Sequence, residues 1–385
     1  MIAVVGAGLG GLLAANLLAK EGYKVEVYER LPFPGGRFTS LNYKGFEIST
    51  GALHMIPHGS RGPLAKLLKK IGVRVEIIDS KPEGEFLWNG ERIEVRRRVF
   101  PLKAILKFYK ELAISKFKDR TLDVFANSLD DFTKAFLNSF LGWSLSIYSE
   151  DITFRKFYEI FKQTVKYRGP GIPIGGCKAV IDELVENLES MGGKIYLRKE
   201  VRGIKKSNEE VKLLIEEWKS FDGVVSNVGH KLTAELMGEK VNLPEESRGI
   251  KYTLKLEEPF LEHTGVLFIA NKNIAGMNEV TNADPNLGKG VMLQVHQPFK
   301  GDARRAVEVG LREIREVVGK NFELLAVQSF SRDWPVNRIK AGSDLGVVFK
   351  ERIVVVGDGA KGGDIEVEGI ALGVEKALEE LGRWI

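Results

Sequence analysis

The chain opens on a short apolar strand, Ile2-Ala3-Val4-Val5, which runs straight into Gly6-Ala7-Gly8-Leu9-Gly10-Gly11 and then a helical pattern over 12–20. No other feature constrains the fold as tightly. In a strand–turn–helix unit Gly6 permits the tight turn, Gly8 lets the backbone approach a pyrophosphate, and Gly11 lets the helix pack closely on the strand. Phosphates sit at the helix amino end, where free N–H groups and the dipole favour negative charge. Gly22 closes the helix and the strand 24–28 follows. Glu29, 18 residues beyond Gly11, then stands where an acid accepts hydrogen bonds from a ribose. Glycine-rich turns alone are common. The strand before, the helix after and the acid at this distance together specify a dinucleotide-binding unit.

A second literal match, Gly357-Asp358-Gly359-Ala360-Lys361-Gly362, also follows an apolar strand, Ile353-Val354-Val355-Val356. Only 23 residues remain after it, and they read as one helix. A second dinucleotide fold does not fit there, so a separate NAD(P) domain is not expected. The first 90 residues alternate strand and helix patterns, which argues for βαβ units and a parallel sheet. From residue 101 to about 166 the pattern is helical. Gly169-Pro170-Gly171-Ile172-Pro173 reads as a break, followed by a helix over 179–191 and a strand over 194–197. Strand patterns dominate 251–295, and the chain closes on strand, turn and helix. The expected fold is α/β. A Rossmann-type domain is assembled from the discontinuous segments 1–90, 168–240 and 340–385, and a second, α+β domain takes 91–167 and 241–339.

Just past Glu29 comes Pro34-Gly35-Gly36-Arg37-Phe38-Thr39-Ser40. With this turn the sequence resembles the flavoprotein amine oxidase and phytoene desaturase superfamily, nearest to phytoene dehydrogenase-related proteins. The resemblance implies FAD as cofactor, with the backbone of Gly35 and Gly36 and the Arg37 side chain facing its pyrophosphate. The family's late strand ending in Gly-Asp is similar to Val356-Gly357-Asp358, followed by Val367-Glu368-Gly369-Ile370-Ala371. It implies that Asp358 meets the ribityl chain and that the next helix points at the flavin. A weaker match, Pro173-Ile174-Gly175-Gly176 with the strand after it, implies that backbone near Val201 meets the adenine. The implied cofactor-binding set is Gly6, Gly8, Gly11, Glu29, Arg30, Gly35, Gly36, Arg37, Val201, Gly357, Asp358, Glu368 and Gly369. One departure is Ser49, in Phe46-Glu47-Ile48-Ser49-Thr50-Gly51, where many relatives carry an aspartate. His54 and Trp334 are candidates to line the flavin. No catalytic acid or base is assigned, and the lysine near N5 in many amine oxidases is not carried over to Lys231.

Composition removes several other classes. A hydrophobic fraction of 44% and a charged fraction of 28% are those of a globular chain, and no run reaches the length of a membrane-spanning helix. The chain enters a strand at once, which reads as cytoplasmic with no leader. The lone cysteine, Cys177, allows neither an intrachain disulfide nor a cysteine metal site. His54 and His58 have metal-like spacing, but Met55-Ile56-Pro57 between them is not helical, so no metal is expected. Abundant Lys, Glu, Ile and Val lean towards a thermophile.

The substrate lobe is rich in aromatics. Ser128-Leu129-Asp130-Asp131 reads as a cap opening a helix with Phe132, Phe136 and Phe140 one turn apart. Phe125, Phe154, Phe157, Phe161, Trp143, Tyr148 and Tyr158 add to this, as ordinary core or as a tunnel for a long hydrocarbon. Between Arg96 and Arg120 nine basic residues face only Glu111 and Asp119, more net charge than the +5 of the whole chain. Pro101 at a first helical position would open a basic amphipathic helix. Leu102, Ile105, Leu106, Tyr109, Leu112 and Ala113 form its stripe, which is either a solvated face over buried residues or a peripheral membrane contact in 101–120. Nucleic acid is not expected, because no binding module accompanies the charge; oligomeric state is left open. The leading expectation is an FAD-dependent desaturase or saturase passing hydride between an apolar isoprenoid-like lipid and flavin N5. The alternatives are an amine oxidase and, in another class, a prenyl-lipid carrier without catalysis.

Overall fold

The computed structural model describes residues 1–51, 53–207, 209–330, 340 and 343–385. Its organising element is a six-stranded sheet with Ile2–Val5 near the centre. That strand lies parallel to Val25–Tyr28 on one side and to Gly223–Ser226 on the other. Gly223–Ser226 pairs in turn with Ile353–Val355, and Val25–Tyr28 with Lys194–Tyr196, again parallel. The short Val348–Lys350 closes the far edge antiparallel. The adjacent strands Ile2–Val5, Gly223–Ser226 and Ile353–Val355 read as uninterrupted apolar or small residues because both faces are covered. The helices Leu9–Lys20, Pro63–Ile71, Gly176–Ser190 and Glu366–Leu381 cover one face. A three-stranded antiparallel sheet, Gly203–Lys206, Val211–Leu214 and Trp218–Phe221, covers the other, packing Ile204, Leu213 and Phe221 against Ala3 and Val224.

The second sheet has seven strands, in the order Phe322–Phe330, Gly249–Leu256, Val291–Pro298, Gly276–Glu279, Val266–Ile269, Gly84–Trp88 and Glu91–Glu94. The helix Asp131–Leu145 lies on its middle strands, and the helix Ala303–Val318 packs with Tyr252, Leu254 and Val295. Beyond these, Leu102–Ser115, Leu122–Ala126 and Phe154–Tyr167 form a helical cap around Phe125, Leu141, Phe154 and Phe157. Asp130 caps the Asp131–Leu145 helix by accepting from Thr133 N at 3.0 Å.

Two boundaries differ from the sequence reading. Gly84–Trp88 already belongs to the second sheet, parallel to Val266–Ile269, so the crossing lies before residue 84 rather than at 91. The cause is the Asn89-Gly90 turn, with φ of +50° and +86°, which folds Gly84–Trp88 and Glu91–Glu94 into one hairpin. Within the expected break at 169–173, Gly171–Pro173 is a short strand paired with Ile77–Asp79.

Candidate functional site

The turn after Ile2–Val5 is built for close approach. A Cβ on Gly11 would stand 2.1 Å from the Gly6 carbonyl oxygen, so the helix can lie this near the strand only with glycine there. A Cβ on Gly8 would reach 2.6 Å from Asn227 Nδ2. Gly8 is the N-cap of Leu9–Lys20, which has neither a side-chain cap nor an acid in its first turn. Its amino end is therefore left for an anion from outside. Glu29 accepts from Ala7 N and Leu31 N, one on each carboxylate oxygen and both at 2.8 Å, which fixes the side chain and leaves lone pairs on each oxygen. Lys199 N donates to Glu29 O at 2.8 Å, bringing Val201 onto the same wall.

Gly35 and Gly36 have φ of +100° and +57°, a left-handed pair that turns the loop back on the first helix. Gly35 N donates to Ala7 O at 2.7 Å, which sews this loop to the glycine turn. Arg37 Nη2 meets Asp358 Oδ2 at 2.7 Å, and Lys361 Nζ lies 3.1 Å from Asp358 Oδ1. Burial pulls the Lys361 ammonium down, but Asp358, Glu366 and Asp344 outweigh it and raise it. Thus Arg37 and Asp358, expected to contact different parts of a cofactor, also contact each other across 321 residues of chain.

Gly6, Gly8, Glu29, Arg30, Gly35, Gly36, Arg37, Val201, Gly357 and Asp358 all line one cavity of about 2000 Å3. That is about twice the upper range of ordinary ligand pockets, room for a dinucleotide and a second molecule together. Gly11 stands behind the wall and serves packing. His54, Glu368 and Gly369 do not line it. His54 is fully buried; Cys177 N–H donates to its Nδ1 at 3.1 Å, so Nε2 carries the proton and donates to Glu47 O at 2.6 Å. Burial holds it neutral, down to about 4, and it is a structural bracket rather than a flavin-lining group. Glu368 turns away from the cavity and accepts from His58 N at 2.9 Å and Leu64 N at 2.8 Å. It caps the Pro63–Ile71 helix, whose own N-cap, Gly62, has no side chain to do so. Burial pushes its carboxyl up to about 7. Gly369 lets the closing helix sit against Asp364 O, 2.5 Å from where a Cβ would be. Trp334 lies outside the described residues. No group of His, Cys, Asp and Glu among the described residues could hold a metal ion.

Sequence reasoning missed two polar groups. Lys251 is fully buried, with Nζ 2.7 Å from Ser49 O and 2.6 Å from Ser49 Oγ. Gln294 Nε2 also donates to Ser49 Oγ, at 3.3 Å, and Gln328 Nε2 donates to Ser49 O at 3.0 Å. Burial lowers the Lys251 amine to about 7. The Ser49 that departs from the family pattern is thus the anchor of a buried network around the 49–54 turn. His296 lies on the cavity wall, its Nε2 2.6 Å from Ser146 Oγ and its ring edge-on to Trp143. Both lysine and histidine lie on strands whose alternate residues point into the second core, so their burial is visible only once the strands are paired.

The far end of the cavity is aromatic. Phe125, Phe136, Phe140, Trp143, Phe157, Tyr158 and Phe161 line it, joined by Phe100 and Phe108, whereas Phe132, Phe154 and Tyr148 are packing residues outside the wall. On the basic helix Leu102–Ser115, Ala104, Ile105, Phe108 and Tyr109 face the cavity. Leu102 and Leu106 point outward, 71% and 61% exposed, and Phe117 just beyond is 93% exposed. No helix among the described residues is long and apolar enough to cross a membrane.

Comparison with known proteins places this geometry among relatives. Residues 4–71 match a family model described as an NAD(P)-binding Rossmann-like domain, and 93–263 one described as flavin containing amine oxidoreductase. An uncharacterized protein of Methanocaldococcus jannaschii is 41% identical over 98% of each chain. The crystal structure of an oxidoreductase from Methanosarcina mazei superposes with a TM-score of 0.90 at 37% identity, covering 98% of this chain and 99% of that one. A 1-hydroxycarotenoid 3,4-desaturase of a Flavobacterium species is 25% identical over 63% of this chain and 59% of its own length.

Proposed function

The chain belongs to the superfamily of flavin-containing amine oxidoreductases and desaturases, and from that footing we propose that it is a desaturase or saturase acting on an apolar, isoprenoid-like lipid. It is an FAD-dependent oxidoreductase. The residues present fit this cofactor: the uncapped amino end at Gly8, the anchored Glu29, the left-handed Gly35-Gly36 pair and the Arg37–Asp358 pair line one wall. In this reading Gly6 and Gly8 with Gly35, Gly36 and Arg37 hold the pyrophosphate, and Glu29 with Arg30 holds the ribose. Val201 backs the adenine, and Gly357 with Asp358 holds the ribityl chain. Bound FAD supplies hydride exchange at N5, two electrons against one substrate C–H bond.

The observation that carries the reading is the continuity of the cavity from the glycine turn into the aromatic channel. A long hydrocarbon can lie there with its reacting carbons towards the cofactor end and water excluded along its length. The His296–Ser146 pair is a polar interruption in that stretch, where the proton of the neighbouring carbon can be held. The exposed Leu102, Leu106 and Phe117, flanked by Lys103, Lys110, Lys116 and Lys118, suit contact with an anionic bilayer from which such a lipid comes.

An anaerobic titration of the purified holoenzyme tests the reading, with isoprenoid lipids in micelles and polyamines added separately. Bleaching of the oxidised-flavin band by a lipid, or lipid-dependent reoxidation of the reduced band, supports it. Bleaching by an amine overturns the substrate. A protein that never retains flavin would instead be the lipid carrier.

A further inference from the structure

Residues that both line the cavity and face solvent mark where it opens. Eight of them are cationic: Arg30 and Arg202 stand by Glu29 and Val201, and Arg61, Lys81, Arg96, Arg97, Lys162 and Arg168 form a second group. The second group comes from distant parts of the chain, yet the backbone gathers five of its six members round one strap, residues 79–84. Ser80 N donates to Pro170 O at 2.8 Å, which brings Arg168 there; Val95 N donates to Gly84 O at 2.9 Å, which brings Arg96 and Arg97. Arg61 Nη2 lies 3.8 Å from Asp79.

Among the described residues, three carboxylates on the cavity wall, Asp79, Glu83 and Glu94, share this rim. Asp79 is already taken by Ser60 N and Oγ, both at 2.8 Å, and Glu94 by Arg96. Lys81, Arg97, Lys162 and Arg168 have no ion-pair partner among the described residues. Arg168 adds an independent sign. It has φ +71° and ψ −162°, a region that essentially only glycine occupies. The fold holds it there, with Arg168 N donating to Thr164 O at 2.8 Å and Arg168 O facing His58 Nδ1 at 3.3 Å. A cationic side chain is thus kept at the channel mouth where a glycine would relieve the backbone.

Resting on the lipid reading above, we propose that the substrate is an amphiphile whose apolar chain fills the aromatic channel and whose phosphate head binds this rim. A hydrocarbon without a head gives the surplus of positive charge nothing to meet, and a cationic amine is repelled by it. The guanidinium forks of Arg97 and Arg168 match phosphate oxygens in geometry as well as charge.

Isothermal titration of the holoenzyme with geranylgeranyl monophosphate, geranylgeraniol and inorganic phosphate separates the sources of affinity. The phosphate ester should bind at least about tenfold more tightly than either other probe, and the advantage should shrink in high salt. Arg97→Gln and Arg168→Gly should each weaken the ester about tenfold and leave the alcohol unchanged. Arg168→Gly should do so without lowering the melting temperature, because it removes backbone strain. Equal binding of ester and alcohol overturns the proposal, and so does inorganic phosphate binding as tightly as the ester. Equal loss of both lipids in Arg168→Gly also overturns it, assigning the residue to packing. If the ester binds as expected but never changes the flavin spectrum, the desaturase reading fails and the head site stands.

Discussion

Lys251→Met should change the way stability depends on pH. The wild-type amine is fully buried and titrates at about 7 rather than 10.5, because burial disfavours its charged form. In the unfolded chain it remains protonated to about pH 10.5, so between these values the unfolded state binds one more proton than the folded state. Stability from this group therefore rises with pH through the window, and below pH 7 the fold carries a cost of about 5 kcal/mol for the enclosed charge. Integrating from pH 7 to 8.5, the folded state being half titrated at the start, gives a gain of about 1.5 kcal/mol. Methionine has similar length and no charge, so the variant lacks that gain. Cys177, buried beside Lys251 and pushed up to about 12, works the other way above pH 9, which is why the window stops short of it. Urea unfolding of both proteins at pH 7.0, 7.75 and 8.5 measures the difference. Parallel stability curves for wild type and Lys251→Met would refute the argument, by showing that the amine is solvated or neutralised by a partner in the folded protein.

Two further substitutions test the cofactor wall. Gly11→Ala places a methyl group 2.1 Å from Gly6 O, with Val4 and Asn227 both at 3.2 Å. It should cost about 1–3 kcal/mol of stability and lower the flavin-to-protein ratio measured by absorbance. Asp358→Ala frees Arg37 and leaves Lys361 buried without its nearest carboxylate. Flavin retained through dialysis should fall in that variant, and an unchanged ratio would remove Asp358 from the site.

What could be read from the sequence was local. The Gly6–Gly11 turn, Glu29 and the Gly35-Gly36 pair act through their own backbone geometry, and that geometry is set by neighbours in the chain. Glu368 could not be read in this way, because its role comes from Gly62, a helix end 306 residues earlier with no cap of its own. His54 was assigned to the flavin on resemblance, but Cys177 N–H and Glu47 O claim both ring nitrogens. Nothing local marks Lys251 as buried, and only the packing of both sheet faces encloses it. Helical spacing could not separate Phe136, on the channel wall, from Phe132, packed between Phe86 and Trp88. The Asn89-Gly90 dipeptide, by contrast, was a readable hairpin signal that moves the domain crossing.

The central strand Ile2–Val5 takes one neighbour from 20 residues downstream and the other from more than 200, and that second neighbour waits for Ile353–Val355. During synthesis the amino-terminal half of the cofactor cradle thus emerges long before the residues that complete it. Asp358, the partner that pins Arg37, follows it 321 residues later. A nascent chain therefore leaves one apolar edge of its main sheet unpaired until residues 223–226 have emerged, and the flavin cradle stays incomplete until residue 358 follows. Pairings across such sequence distances are slow to close.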